Sequence, residues 1–249
     1  MVMKKYLDFK VFYESFFTRL SSENLKYSVV RNYEGLPISK PGGDVDILIE
    51  KKNIKDVLNL IRQLIQPFNG RIEITHSFHY VLKLKLHNVL DDKTNKSYTE
   101  LDLITKLSWY GLNWLSEYEV LNESTLNKKN IYIPSYHHEL QMSLFHSLLY
   151  GGFVNEKYLK KMNILFSLLD KFKLKKDLNN NFGYHTGDII FKNIEFSYWQ
   201  SIEINKFKIR KSLMIVNFNN SISNTFLEVL TNFYCELKVK INNLLVKKI

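Results

Sequence analysis

Gly42-Gly43-Asp44-Val45-Asp46-Ile47-Leu48-Ile49 is the stretch on which the reading of this chain turns. A β-strand repeats every two residues, so Asp44 and Asp46 share one face while Val45 and Ile47 share the other. Same-face carboxylates repel each other, and the arrangement is costly unless a cation sits between them. Hard divalent cations such as Mg²⁺ take carboxylate oxygens and commonly bridge to substrate phosphates. The glycine pair in front of the strand lets backbone or substrate come close. A second segment, Thr99-Glu100-Leu101-Asp102-Leu103-Ile104, alternates in the same way, with Glu100 and Asp102 on one face and Leu101 and Leu103 on the other. If the two strands are neighbours, Asp102 completes a carboxylate triad. Such a triad can hold two metal ions about 3.5–4 Å apart and clamp the oxygens of an in-line phosphoryl displacement.

Outward from this stretch the pattern is mixed. Residues 4–21 carry Phe9, Phe12, Phe16 and Leu20 at helical spacing, and residues 26–31 read as a short strand. Residues 32–43, with Gly35, Pro37, Pro41, Gly42 and Gly43, form a loop before the strand at 44–50. Asn53 can cap a helix running to about Gln66, with Ile54, Val57, Leu58, Ile61, Leu64 and Ile65 on one face. Strands follow at 71–76, 78–87 and 97–105. Val81 to Leu86 shows the alternation of a half-buried antiparallel strand. After about residue 134 the pattern turns helical, with helices over 136–150 and 155–172 joined at Gly151-Gly152. Residues 173–181 are a polar stretch, 184–216 fit either strand or short helix, and 221–246 form a long terminal helix. That helix sets Phe226, Val229, Leu230, Phe233, Leu237 and Ile241 on one side. The expected class is α+β: a mixed sheet with flanking helices over 1–134, then a mostly helical basic domain over 135–249.

Composition narrows the function. The 249 residues are 45% apolar and 24% charged, a globular balance that excludes a disordered chain. Lys and Arg number 35 against 25 Asp and Glu, a net +10 that points to an anionic partner. The surplus is uneven: residues 1–154 hold 19 basic and 17 acidic side chains, residues 155–249 hold 16 and 8. A single cysteine, Cys235, excludes an intrachain disulfide and a multi-Cys zinc site. The start is interrupted by Asp8, Lys10 and Glu14, so no secretory signal is expected. No apolar run reaches the roughly 18 residues of a membrane span. The expected location is the cytoplasm; Lys238, Lys240, Lys247 and Lys248 of the terminal helix form a solvated face or, in the alternative reading, a peripheral contact at the inner membrane surface.

The order strand, loop, Gly-Gly-Asp-Val-Asp-Ile-Leu-Ile, helix, then Glu-Leu-Asp-Leu resembles the nucleotidyltransferase fold of the DNA polymerase β superfamily. It is most similar to a bacterial branch linked to surface-polysaccharide gene clusters. The resemblance spans roughly residues 25–150. It implies that Asp44, Asp46 and Asp102 bind two Mg²⁺ (or Mn²⁺) ions, and that Asp102 helps to deprotonate an acceptor hydroxyl. An NTP would then donate a nucleotidyl group to a small acceptor, a sugar or a surface-polysaccharide precursor. The superfamily holds the triphosphate with a Gly-Ser pair upstream of the first aspartate. This chain has Arg31-Asn32 there instead, which suits an anion through the guanidinium fork and the amide. Gly42, Gly43, Lys40 and Ser39 of the loop complete the expected phosphate contacts.

Other features read more plainly as structure. His137, His138 and His146 fit capping or partly buried roles on a helix, and His76 and His79 flank a tight turn. Trp109, Tyr110 and Trp114 could stack on a base or sugar, though core packing is the simpler reading. The alternative function is a non-catalytic relative of this fold that uses its basic terminal helix on an anionic membrane or nucleic acid. No basic–aromatic motif of the known nucleic-acid modules is present, so nucleic acid ranks below a small acceptor.

Overall fold

The computed structural model describes residues 8–31, 33–38, 44–77, 80–87, 98–154 and 156–246. Asn32, Ser39, Lys40, Gly42 and Gly43, expected as phosphate contacts, lie outside the described residues, as does His79. The chain is α+β, and it divides into two compact units: Met1–Lys106 with Glu117–Pro134, and Leu107–Ser116 with Ser135–Ile249.

The first unit opens with α1 (Phe9–Ser22), whose N-terminus is capped by the Asp8 side chain accepting from the Lys10 N–H at 2.8 Å. Strands β1 (Tyr27–Arg31) and β2 (Val45–Ile49) are followed by α2 (Ile54–Ile65), then β3 (Arg71–Ser77), β4 (Val81–His87) and β5 (Tyr98–Ile104). The five strands form one sheet in the order β1-β2-β5-β4-β3. Only β2 and β5 run parallel; the other pairs are antiparallel.

Alternation decides which face of this sheet is covered. Val45, Ile47 and Ile49 of β2, Leu101 and Leu103 of β5, and Leu84 and Leu86 of β4 join one apolar core with Phe12, Phe16 and Leu20 of α1 and Val57, Leu60 and Ile61 of α2. Burial of such a set is the main term holding the unit together. Tyr13 of α1 reaches into the same layer, and its hydroxyl shares a 2.6 Å hydrogen bond with Thr99 Oγ1 of β5. The remaining strand positions, Asp46, Asp102, Glu100, Lys83 and Lys85 among them, point to the opposite face.

The second unit begins with a hairpin, β6 (Leu107–Trp109) and β7 (Leu112–Leu115), turned by Tyr110 and Gly111 at positive φ. Back in the first unit, α3 (Glu117–Asn122) packs on β1 and β2, and β8 (Thr125–Leu126) pairs with β9 (Tyr132–Ile133). The second unit then continues with α4 (Tyr136–His146), α5 (Glu156–Leu168), α6 (Lys171–Phe182), α7 (Tyr184–Glu195), α8 (Trp199–Ile204), α9 (Lys206–Asn220) and α10 (Ile222–Val246).

In this half the polar stretch after residue 172 is helical, and the segment open to strand or short helix is decided as helix. The polar stretch 173–181 is the body of α6. Asp170 caps it, accepting from the Phe172 and Lys173 N–H groups, and Leu174, Leu178 and Phe182 are its buried stripe. Three apolar residues at four-residue spacing suffice for a helix packed on one side, even among Lys and Asn. Residues 184–216 are α7, α8 and most of α9, with no strand among them. Gly187 lets α7 lie against α6, since a Cβ there would stand 2.4 Å from Asn179 Oδ1 and 2.6 Å from backbone atoms of Leu178 and Asn179.

Some of the basic surplus is used within this unit. After α4 the chain makes a π-helical turn, Ser147–Gly151. Its last carbonyls accept from cations: Arg210 Nη2 donates to Leu149 O at 2.7 Å, and Lys206 Nζ to Gly152 O at 3.2 Å. Such contacts satisfy the orphan carbonyls of a helix end and oppose its negative dipole. The terminal helix α10 turns Thr225 and Asn232 inward, while Phe226, Leu230, Phe233 and Leu237 of its expected apolar side are exposed, together with Leu227 and Tyr234. Its inner side approaches the hairpin closely, with the Cβ position of Gly111 only 2.8 Å from the Glu228 carbonyl carbon. No helix among the described residues is long and apolar enough to cross a membrane.

Candidate metal centre

One row of side chains crosses all five strands in register. Arg31 of β1 pairs with Asp46 of β2, Asp46 with Asp102 of β5, Asp102 with Lys83 of β4, and Lys83 with His76 of β3. The parallel β2–β5 pairing makes two aspartates direct neighbours in the middle of the sheet. Asp44, immediately before β2, lies on the same side, and one carboxylate oxygen from each of Asp44, Asp46 and Asp102 falls within 4.8 Å of the others. Asp46 is 1% exposed and Asp102 5%, whereas Asp44 stands at the rim with about a third of its side chain open.

Two irregularities help to build the row. The β1–β2 register shifts between Val29 and Arg31, and the β3–β4 register shifts between Ile74 and His76. Strict alternation would set Arg31 on the same face as Val29, which packs in the core. The extra residue brings Arg31 to the face of Asp46 instead, as bulges do beside functional sites.

The charges interlock. Arg31 Nη2 donates to Asp46 Oδ1 at 2.8 Å. Lys83 Nζ donates to Asp102 Oδ2 and lies 3.7 Å from Asp44 Oδ2. The other oxygen of Asp46, Oδ2, is buried and has no hydrogen-bond partner. Burial pushes the Asp46 carboxyl above its ordinary value, with Asp44 adding to the rise and Arg31 opposing it. Burial likewise raises Asp102 to about 6, against the pull of Lys83 and with help from Asp46 and Asp44. For Lys83, desolvation works to lower the pKa, but Asp102, Asp44 and Asp46 together leave it raised. The cluster is therefore one in which carboxylate charge is poorly solvated and not fully compensated. Farther along the same face, Lys85 meets Glu100 at 3.3 Å, and His87 meets Glu73 at 2.7 Å.

The expected triad Asp44, Asp46 and Asp102 is thus brought together. Arg31 sits on the Asp46 carboxylate. Trp114 is buried and packs on Phe145, and Arg210 covers the Trp109 ring, so these tryptophans serve the helical unit. His138 Nδ1 lies 3.1 Å from the capping Ser135 Oγ. His137 has a carboxylate partner not evident from its sequence neighbours, Asp177 of α6, and also bonds Gln141. Lys83 was the main residue that sequence reasoning passed over. Its signal was present in Val81-Leu-Lys-Leu-Lys-Leu86, where the lysines hold the polar phase, but only the strand order shows that they face Asp102 and Glu100.

No protein-family model matches the sequence, and no curated protein matches it. Among solved structures, the chain is similar to JHP933 from Helicobacter pylori at 12% identity and a TM-score of 0.39, covering 91% of this chain and 99% of that one. It is also similar to a candidate nucleotidyltransferase from H. pylori at 12% identity and a TM-score of 0.37, covering 86% and 97%. Likeness at that level is too distant to assign a fold family, and the functional reading rests on the carboxylate cluster.

Proposed function

We propose that this chain is a metal-dependent nucleotidyltransferase, moving a nucleotidyl group from an NTP to a hydroxyl of a small acceptor such as a sugar or surface-polysaccharide precursor. The observation that carries the reading is the buried oxygen Asp46 Oδ2, without a hydrogen-bond partner and beside two further carboxylates. A buried, unsatisfied anionic oxygen is costly, and a cation is what would satisfy it. The donor set is all carboxylate, which suits Mg²⁺ or Mn²⁺ rather than softer metals. Asp44, Asp46 and Asp102 would hold the metal, and when bound it would offset phosphate charge and polarise the reacting oxygens.

The chain's own residues supply the rest. Asp102 would also help to take the proton of the acceptor hydroxyl. Arg31 opposes the rise that burial imposes on the Asp46 carboxyl and leaves its second oxygen open. The loop positions Ser39, Lys40, Gly42 and Gly43, with Asn32, remain the proposed phosphate contacts. A cytoplasmic setting, where NTPs are held, follows from this reading. The test is calorimetry of the wild type and Asp46→Asn with Mg²⁺ and each NTP in turn. The wild type should bind at least one Mg²⁺–NTP and the variant should lose it; identical, negligible heats for both would sink the proposal.

A second reading draws on the exposed apolar row of α10, which suits a partner surface or an anionic membrane. Flotation on anionic vesicles tests it, with deletion of residues 236–249 expected to abolish any binding.

A further inference from the structure

Among the described residues, Arg31 and Lys83 touch the carboxylate cluster, and they do so differently. Arg31 binds one oxygen of Asp46 and leaves the other without a partner. Lys83 instead lies between two carboxylates, bonded to Asp102 Oδ2 and 3.7 Å from Asp44 Oδ2. Magnesium binds oxygens at about 2.0–2.1 Å, so two carboxylate oxygens on one ion stand roughly 3 Å apart. An ammonium bridging the same two carboxylates fills the same space. A metal can therefore reach Asp46 Oδ2 with Arg31 in place, but it cannot bridge Asp44 and Asp102 with Lys83 in place.

We propose that Lys83 is an exchangeable counter-cation: it holds Asp44 and Asp102 together in the metal-free protein and is displaced from them when the metal enters. The inference rests on the reading that these carboxylates hold a metal. Lys83 is suited to the exchange. Its side chain is about a third exposed, its stem is flexible, and an ammonium is a compact charge with no fixed geometry to lose. Arg31, more buried and planar, is suited to stay. The displaced ammonium remains tethered at the edge of the cluster, where an arriving anion can take it up. The site then accepts metal and polyphosphate together more readily than metal alone, because the anion gives Lys83 somewhere to go. Such a coupling is reciprocal: metal must also improve binding of the anion.

The experiment is titration with Mn²⁺ alone, followed by electron paramagnetic resonance of the free ion. The proteins are the wild type, Lys83→Met, Lys83→Gln and, as a control for general field effects, Lys85→Met. Lys85 lies on the same face but pairs with Glu100, one row away. Removing the competing ammonium should tighten Mn²⁺ binding about tenfold in both Lys83 variants, within the range by which neighbours of metal ligands tune affinity. The control should change by less than about threefold. Adding inorganic triphosphate should strengthen Mn²⁺ binding in the wild type and do so less in Lys83→Met. Thermal melting without metal should show the Lys83 variants folded but less stable, with a larger gain on adding Mn²⁺. If the wild type binds Mn²⁺ and both Lys83 variants bind it equally or more weakly, the exchange is wrong and the metal site stands. If Lys85→Met matches Lys83→Met, the effect is a general field and the exchange is again wrong. If no protein binds Mn²⁺, the metal reading falls and the exchange with it.

Discussion

Without divalent metal, raising the pH from about 4 to about 6 should make this protein less stable, and Asp102 should be the main cause. In the unfolded chain its carboxyl loses a proton near the ordinary value of about 3.9. In the folded protein, burial holds the proton on until about pH 6. Between those values the folded state binds more protons than the unfolded state, so stability must fall as the pH rises. A shift of about two pKa units corresponds to about 3 kcal/mol, at about 1.4 kcal/mol per unit. Asp46, also raised, works in the same direction. Lys83 contributes the opposite way only at alkaline pH: its raised pKa stabilises below its unfolded value and the benefit is lost above it, so it is flat through this window. The assay is urea unfolding at several pH values between about 4 and 7 in a chelator, for the wild type and Asp102→Asn. The wild type should lose about 3 kcal/mol more than the variant across the window. Exposed pairs such as Asp188 with Lys175 and Lys192 are common to both proteins and cancel in the difference. Parallel curves for the two proteins would refute the reasoning, since burial of Asp102 would then carry no linked proton. Adding Mg²⁺ should reduce the loss above about pH 6, because a metal favours the ionised form.

Two further outcomes test the fold, one in each unit. Tyr13→Phe leaves Thr99 Oγ1 buried without its 2.6 Å partner, and should cost about 1–2 kcal/mol in denaturant unfolding; no measurable loss would mean that the bond does not tie α1 to β5. Asp170→Ala removes the cap of α6 and should cost about 1 kcal/mol, most of it restored by Asp170→Ser.

The central pair of strands was legible because alternation is local. Val45, Ile47, Leu101 and Leu103 point one way and the aspartates the other, whatever the rest of the chain does. What local pattern cannot show is which strands are neighbours. Asp46 beside Asp102 was a condition to be met, and Lys83 became visible only once β4 was seen to lie beside β5. The bulges at Val29–Arg31 and Ile74–His76 are likewise silent in sequence, since an extra residue in a strand looks like any other. In the helical half, α6 hid behind its composition: eight of its twelve side chains are polar, and its buried stripe is only Leu174, Leu178 and Phe182. The His137–Asp177 contact joins residues 40 apart, beyond any periodic window.

The two bulges have a consequence apart from chemistry. They lie in β1 and β3, the strands at either end of the sheet. An end strand offers unpaired backbone groups to any other strand that drifts past, and a regular one is a template for aggregation. A shifted register breaks that template part-way along each end. The same irregularity that turns Arg31 toward Asp46 therefore also makes the sheet a poor site for a foreign strand to add, which favours solubility in a protein whose central strands are strongly apolar.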